Sequence, residues 1–154
     1  MTEQNPKAAS KGEQDTDFLE IARQRAHQGR QQDEGVLIQR TIAMPADTNP
    51  AGDVFGGWIM AQMDLAAGNM AARVSQGRGA TVAVEGMQFH RPLKVGDEVT
   101  LYATLTKVGR TSLHIHIDVW GRPRMSAQSI KVTEAEFAFV ALDEHGKPRP
   151  IPRD

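Results

Sequence analysis

From Val36 to Met44 apolar side chains recur at every second position, with Val36, Ile38 and Ile42 sharing their parity with Arg40. That period predicts a half-buried strand. Pro45 to Gly57 is loop-like, with Asp47, Asn49, Pro50, Gly52 and Asp53. The stretch from Gly56 to Gln76 then changes character: it is mostly apolar, rich in Ala and Met, and free of Pro. It predicts a helix. At about 100° per residue, Gln62, Asn69, Arg73 and Gln76 fall on one narrow polar stripe. Asp64 falls roughly opposite, between Met60, Gly68 and Ala71. Period two returns in four further segments: Thr81 to Phe89, with a bulge expected at Gly86, then Glu98 to Lys107, Thr111 to Trp120 and Gln128 to Leu142. Val95-Gly96-Asp97 and Gly109-Arg110 mark turns short enough for antiparallel hairpins. Several of these strands reach ten residues, against a usual five or six. The expected class is α+β, a long antiparallel five-stranded sheet wrapped around one central apolar helix. So little of the helix is polar that the sheet is expected to enclose one side of it and a second copy of the chain another.

The ends differ from this unit. Residues 1–35 are rich in Gln, Glu, Lys, Asp and Gly, interrupted only by Phe18, Leu19, Ile21 and Ala22, and read as a flexible polar tail with a helical turn or two after Asp17. Residues 36–143 form the domain, and the Pro-rich 144–154 is expected to be extended or loose. A chain of 154 residues fits one domain with a real core, and a mean hydropathy of −0.44 reflects its polar ends. Eighteen Lys and Arg against 19 Asp and Glu exclude nucleic-acid binding through a broadly basic surface. With no Cys, disulfides, thiol nucleophiles and thiolate metal sites are excluded. No run is apolar enough to span a membrane and the N-terminus lacks the apolar segment of a secretory signal, so a cytoplasmic protein is expected.

Asp64 is the first candidate for chemistry. A carboxylate on the apolar side of a buried helix costs several kcal/mol unless something pairs with it or uses it. The same geometry carries Arg73 to the far side of the helix, which removes the obvious local salt bridge.

The segment RTIAMPADTNPAGDVFGGWIMAQMDLAA resembles the signature of hotdog-fold acyl-CoA thioesterases, specifically the YciA-like acyl-CoA thioester hydrolases. FHRPLKVGDEV, KVGRTS and KVTEAEFAFVALD extend the likeness over about residues 38 to 150. The NPxGDxFGGWIMxQMDLA block is specific; the GD and GRTS turns alone are weak. The resemblance implies a hotdog domain that hydrolyses acyl-CoA to free acid and coenzyme A, with sites shared across a dimer and dimers often assembled in threes. It implies that Asp64 is the general base activating water, or the nucleophile forming a transient anhydride. Asn49 matches the family's loop asparagine, which positions the water or the carbonyl; its structural alternative is ordinary turn chemistry. The long N-terminal tail departs from the pattern.

Gly56 and Gly57 suit this chemistry on physical grounds. The first amides of a helix lack internal acceptors and carry the positive end of its dipole, and glycine lets another oxygen come close. They can hold a thioester carbonyl and the oxyanion that forms on attack. The alternative is a tight turn that simply starts the helix. Asp64 lies about 10.5 Å farther along the axis than Gly57, too far for one helix to supply both groups to one carbonyl. Two antiparallel helices across a two-fold axis would unite the amides of one subunit with Asp64 of the other.

Coenzyme A needs partners for its phosphates. Arg110, Thr111 and Ser112 at the hairpin tip match the GRTS segment and are placed there, with Lys94 at the second turn; Arg91 and Lys131 are weaker candidates, and for Lys94 a solvated surface charge is the competing reading. His114, His116 and Asp118 share one strand face, but further ligands are not evident and no metal or other cofactor is expected. Met60, Met63 and Met70 read as core filling. Ser75 and Ser112 have no His/Asp arrangement for a serine hydrolase. The rivals are a non-catalytic acyl-CoA sensor, a hotdog hydratase or dehydratase built on a His, and a structural dimer module.

Overall fold

In the central strand β4 (Ser112–Arg122), Leu113, Ile115, Ile117 and Val119 are buried while His114, His116, Asp118 and Trp120 face the other way. That alternation is the pleat of a sheet with one face on a core. The structure is a computed structural model and describes residues 11–26 and 35–153. Its elements are α1 (Lys11–Ala26), β1 (Val36–Ile42), a 3-10 turn at Pro45–Asp47, α2 (Gly56–Ser75), β2 (Gly79–Phe89), β3 (Glu98–Val108), β4 and β5 (Ile130–Ala141). The strands form one antiparallel sheet in the order β1-β3-β4-β5-β2. It wraps around α2 in the α+β hotdog arrangement expected from the sequence.

One face of α2, formed by Ile59, Met63, Ala66, Ala67, Met70 and Val74, is buried among Leu101, Leu105, Leu113, Ile117 and Phe137. Each large side chain so buried contributes roughly 1.5–3 kcal/mol relative to exposure. Met63 and Met70 fill core space as expected, whereas Met60 lies on the exposed side of the helix. Gln76 ends the helix in the left-handed region, at φ 56°.

The strand bounds match the sequence periodicity closely, and Gly86 takes φ 62° where the β2–β5 register slips between Glu85 and Gln88. Two features differ from expectation. In β1 the register shifts between Leu37 and Gln39, so Ile42 is exposed and Ala43 is buried instead. The β2–β3 connection is no hairpin. β2 is an edge strand against β5, and residues 90–97 cross the end of the sheet to reach β3. That crossing is pinned by His90 N–H to the Val132 carbonyl (2.7 Å) and by Val54 N–H to the Leu93 carbonyl (2.9 Å).

The chain ends also require correction. The segment 1–35, expected as a flexible tail, contains a helix from Lys11, and Phe18 and Ala22 are buried in the core cluster. Residues 1–10 and 27–34 lie outside the described residues. The expected loose C-terminus is docked: Ile151 is 2% exposed, and Arg149 donates to the carbonyls of Ser75 and Leu142 (2.9 and 2.8 Å). Among the described residues no helix is long and apolar enough to cross a membrane.

Candidate functional site

The loop before α2 is braced by its own side chains. The Asn49 Oδ1 accepts N–H groups from Ala51 (3.0 Å) and Asp53 (3.1 Å), and Gly52 closes the turn at φ 87°. This is the Asx turn that Asn favours, so Asn49 shapes the loop. Its side-chain N–H groups meet no acceptor among the described residues. The loop delivers Phe55 as the N-cap of α2, with no side-chain cap. Trp58 and Ile59 N–H turn back to the Phe55 carbonyl (3.1 and 3.3 Å), whereas the Gly56 and Gly57 amides meet no acceptor among the described residues. A Cβ at Gly57 would meet nothing within 4 Å, whereas one at Gly56 would lie 3.7 Å from the Phe89 ring. Beside them runs a groove of about 290 Å³, lined by Val54, Ile59, Phe89 and Leu93, with Arg91 at its edge.

Asp64 is on the side of α2 that faces away from the sheet. With Ile59, Met63, Ala66, Ala67 and Met70 turned inward, it lies on the outer arc with Met60, Ala61 and Leu65, and it is exposed in the single protomer. An almost wholly apolar helix carries no internal mark of which arc meets the sheet; the volume of its inner residues decides. Asp64 Oδ1 accepts a hydrogen bond from Thr81 Oγ1 on β2 at 2.6 Å, and no cation pairs with it among the described residues. Around it the surface is apolar, with Leu65 64% and Val82 60% exposed and Val84 close by on the same strand.

The four residues assigned to coenzyme A are not brought together within one protomer. Lys94 lies at the Gly56 end, bridged to Asp53, and its ammonium pairs with the Asp53 carboxylate. Arg110, Thr111 and Ser112 lie at the opposite end, where Ser112 pairs with Val140. Phe89, beside Gly56, is level with Thr133 and Val119; the seven steps of β4 from there to Ser112 span about 23 Å. Thr81 is level with Phe139 and Leu113, so Asp64 sits toward the Arg110 end.

On the outer sheet face, His116 Nδ1 stands 3.3 Å from Glu136 and Nε2 3.2 Å from Asp118. His116, Asp118 and Glu134 are close enough to share a cation, with ligand atoms within 4.8 Å of one another. Lys131 already supplies positive charge there, 2.8 Å from Asp118 and in contact with Glu134; hydrogen bonds to Asp118 and then Glu134 hold its pKa above the usual lysine value. The cluster's place on the outer face also separates it from Asp64 and the Gly56 end of α2. At the sheet's end, a hydrogen bond from Arg122 holds the Glu98 carboxyl below its usual pKa, with Arg40 assisting.

Thr81 and the Phe89–Arg91 groove were not foreseen. No local signal marks Thr81, because only the placement of β2 beside α2 brings a hydroxyl 17 residues away onto Asp64.

Residues 51–127 match the model of the Thioesterase superfamily. The chain is 52% identical over 122 residues to the acyl-CoA thioester hydrolase YciA of Salmonella typhimurium, across 77% of this chain and 92% of that one. It is 50% identical over 122 residues to the Escherichia coli protein of the same name, with the same coverage. Among solved structures, the hexameric thioesterase y2039 from Yersinia pestis superposes with a TM-score of 0.75 at 48% identity, covering 80% of this chain and 100% of that one. The structure of HI0827, a hexameric broad specificity acyl-coenzyme A thioesterase, gives 0.74 at 48% identity over 80% and 86%.

Proposed function

The chain belongs to the thioesterase superfamily and, within it, to the YciA-like acyl-CoA thioester hydrolases, and from that premise we propose how its residues cleave acyl-CoA to a carboxylic acid and coenzyme A at a site shared by two protomers. One observation carries the reading. Asp64 stands, with no cationic partner among the described residues, on the exposed side of α2 and β2 that also carries Met60, Leu65, Val82 and Val84. An apolar surface of that kind calls for a partner, and β2 is an edge strand, paired with β5 on one side only. A second copy related by a two-fold axis covers it and takes Asp64 out of bulk water.

The same operation solves the separation along the helix. The Gly56 end of one α2 comes to the Asp64 end of the other. The free amides of Gly56 and Gly57 then receive the thioester carbonyl oxygen, and the helix dipole favours the negative charge it gains on attack. Two routes use Asp64. As general base, it takes a proton from water, the resulting hydroxide adds to the carbonyl carbon, the C–S bond breaks and the thiolate leaves to be protonated. As nucleophile, the carboxylate itself adds, coenzyme A departs, and water hydrolyses the mixed anhydride. The unused N–H groups of Asn49 are available to orient the water or the carbonyl. Arg110 and Ser112, with Thr111 between them, take the nucleotide end of coenzyme A; Lys94, held by Asp53, contributes less. We assign no metal or cofactor, since carboxylate and amides supply both base and oxyanion site, and coenzyme A enters as part of the substrate. The hexameric state of the similar thioesterases supports a trimer of dimers.

The test is release of free thiol from acyl-CoA, followed with a thiol reagent. Asp64→Ala is expected to lower kcat by about 10²–10⁴-fold while leaving the oligomer intact. Near-normal turnover in that variant overturns the assignment.

A further inference from the structure

α1 and the C-terminal residues 149–153 meet beside the Arg110 turn. Phe18 of α1 is 3% exposed, and the Arg153 guanidinium stands 4.2 Å from the centroid of its ring. Arg25 Nη1 donates to the Pro152 carbonyl (2.8 Å) and to the Val74 carbonyl in the last turn of α2 (3.3 Å). Between these anchors, Ile151 donates its N–H to the Arg110 carbonyl at 2.8 Å. Arg149 fastens the same tail to Ser75, the final residue of α2. A hairpin tip is ordinarily among the more mobile parts of a fold. Here its backbone is held from behind by the C-terminal tail, and the tail is held by α1.

We propose that α1 and the C-terminal tail form a clamp that fixes the Arg110 turn relative to α2, with Phe18 and Arg153 as positioning residues for the nucleotide end of acyl-CoA. The proposal rests on the reading that Arg110 contacts coenzyme A. Two observations favour it. The clamp joins the turn to the helix that carries Asp64, so it sets the spacing between the nucleotide contact and the reacting carboxylate. It also gathers Arg25, Arg110, Arg149 and Arg153 at one end of the protomer, a concentration of positive charge suited to a polyphosphate. Holding the turn in its bound geometry before the substrate arrives removes an ordering cost from binding.

The experiment compares full-length Arg110→Ala, Phe18→Ala, Arg153→Gln and Arg153→Lys on an acyl-CoA and on the same acyl group carried by pantetheine, which lacks the nucleotide. Arg110→Ala, Phe18→Ala and Arg153→Gln are expected to raise KM for acyl-CoA about two- to fivefold, the scale of one exposed cation–ring contact, with kcat changed less than KM. KM for the acyl-pantetheine is expected to be unchanged, and Arg153→Lys to retain most of the affinity. An unchanged KM in Arg110→Ala overturns the nucleotide reading and the clamp with it. A raised KM in Arg110→Ala with unchanged values in Phe18→Ala and Arg153→Gln overturns the clamp alone, as does an equal loss on both substrates. Arg153 is exposed, so Arg153→Gln keeps the proposal open to refutation if Phe18→Ala does not fold.

Discussion

Asp64 differs from the ion-paired carboxylates of this chain in its company. Asp53 has Lys94, Asp118 and Glu134 have Lys131, and Glu98 has Arg122 and Arg40. Asp64 has a hydroxyl, that of Thr81. A hydroxyl orients one carboxylate oxygen and leaves the charge uncancelled, as a base or nucleophile requires. Losing one such bond removes roughly 1 kcal/mol of fixed geometry. Thr81→Ala is therefore expected to lower kcat by about fivefold with little change in KM, read from steady-state thiol release. The sequence singled out Asp64 as an anomaly in an apolar helix, although it faces outward and not toward the sheet. Its partner was not legible, because 17 residues of chain separate the two and only the sheet brings them together.

The strands are the most legible elements, since a half-buried strand repeats every second residue and β4 does so without a break. Their neighbours in space were less so. A turn of a few residues between β2 and β3 has the composition of a hairpin, yet β2 pairs with β5 and the turn spans the sheet's end. Close packing at that end makes a sharp test. A Cβ added at Gly121 of β4 would come within 2.5 Å of Leu93 and 3.0 Å of Val132. Neither neighbour can retreat without disturbing the crossing. Gly121→Ala is expected to destabilise the fold by about 1–3 kcal/mol, seen as a drop of several degrees in Tm. The N-terminal helix illustrates the opposite limit. Four apolar residues in a polar segment are too few to predict sixteen residues of helix, but Phe18 and Ala22 suffice once a core offers them a place.

For the molecule as a whole, the exposed side of α2 and β2 is the surface that matters. Leu65, the most exposed large apolar residue of that surface, stands next to Asp64 in sequence. In the proposed two-fold dimer a carboxylate at that position would be taken out of water without a cation to pair with it. Leu65→Glu is expected to shift the assembly toward single protomers and to abolish thioesterase activity, with the protomer's circular dichroism retained. Size-exclusion chromatography with light scattering, set beside thiol release on the same fractions, checks both. Full activity in a monomeric Leu65→Glu would show that one protomer carries a complete site.

The order of the strands along the chain, the apolar helix α2, the absence of thiol chemistry and the choice of Asp64 as the candidate carboxylate were all legible in local pattern, because period, spacing and residue type are properties of neighbours in sequence. The face of α2 that turns inward, the crossing that makes β2 an edge, the Thr81 bond to Asp64 and the docking of α1 and residues 149–153 beside Arg110 were decided only by the tertiary structure. Each depends on which distant surfaces fit together, and volume and shape complementarity leave no periodic trace in a sequence.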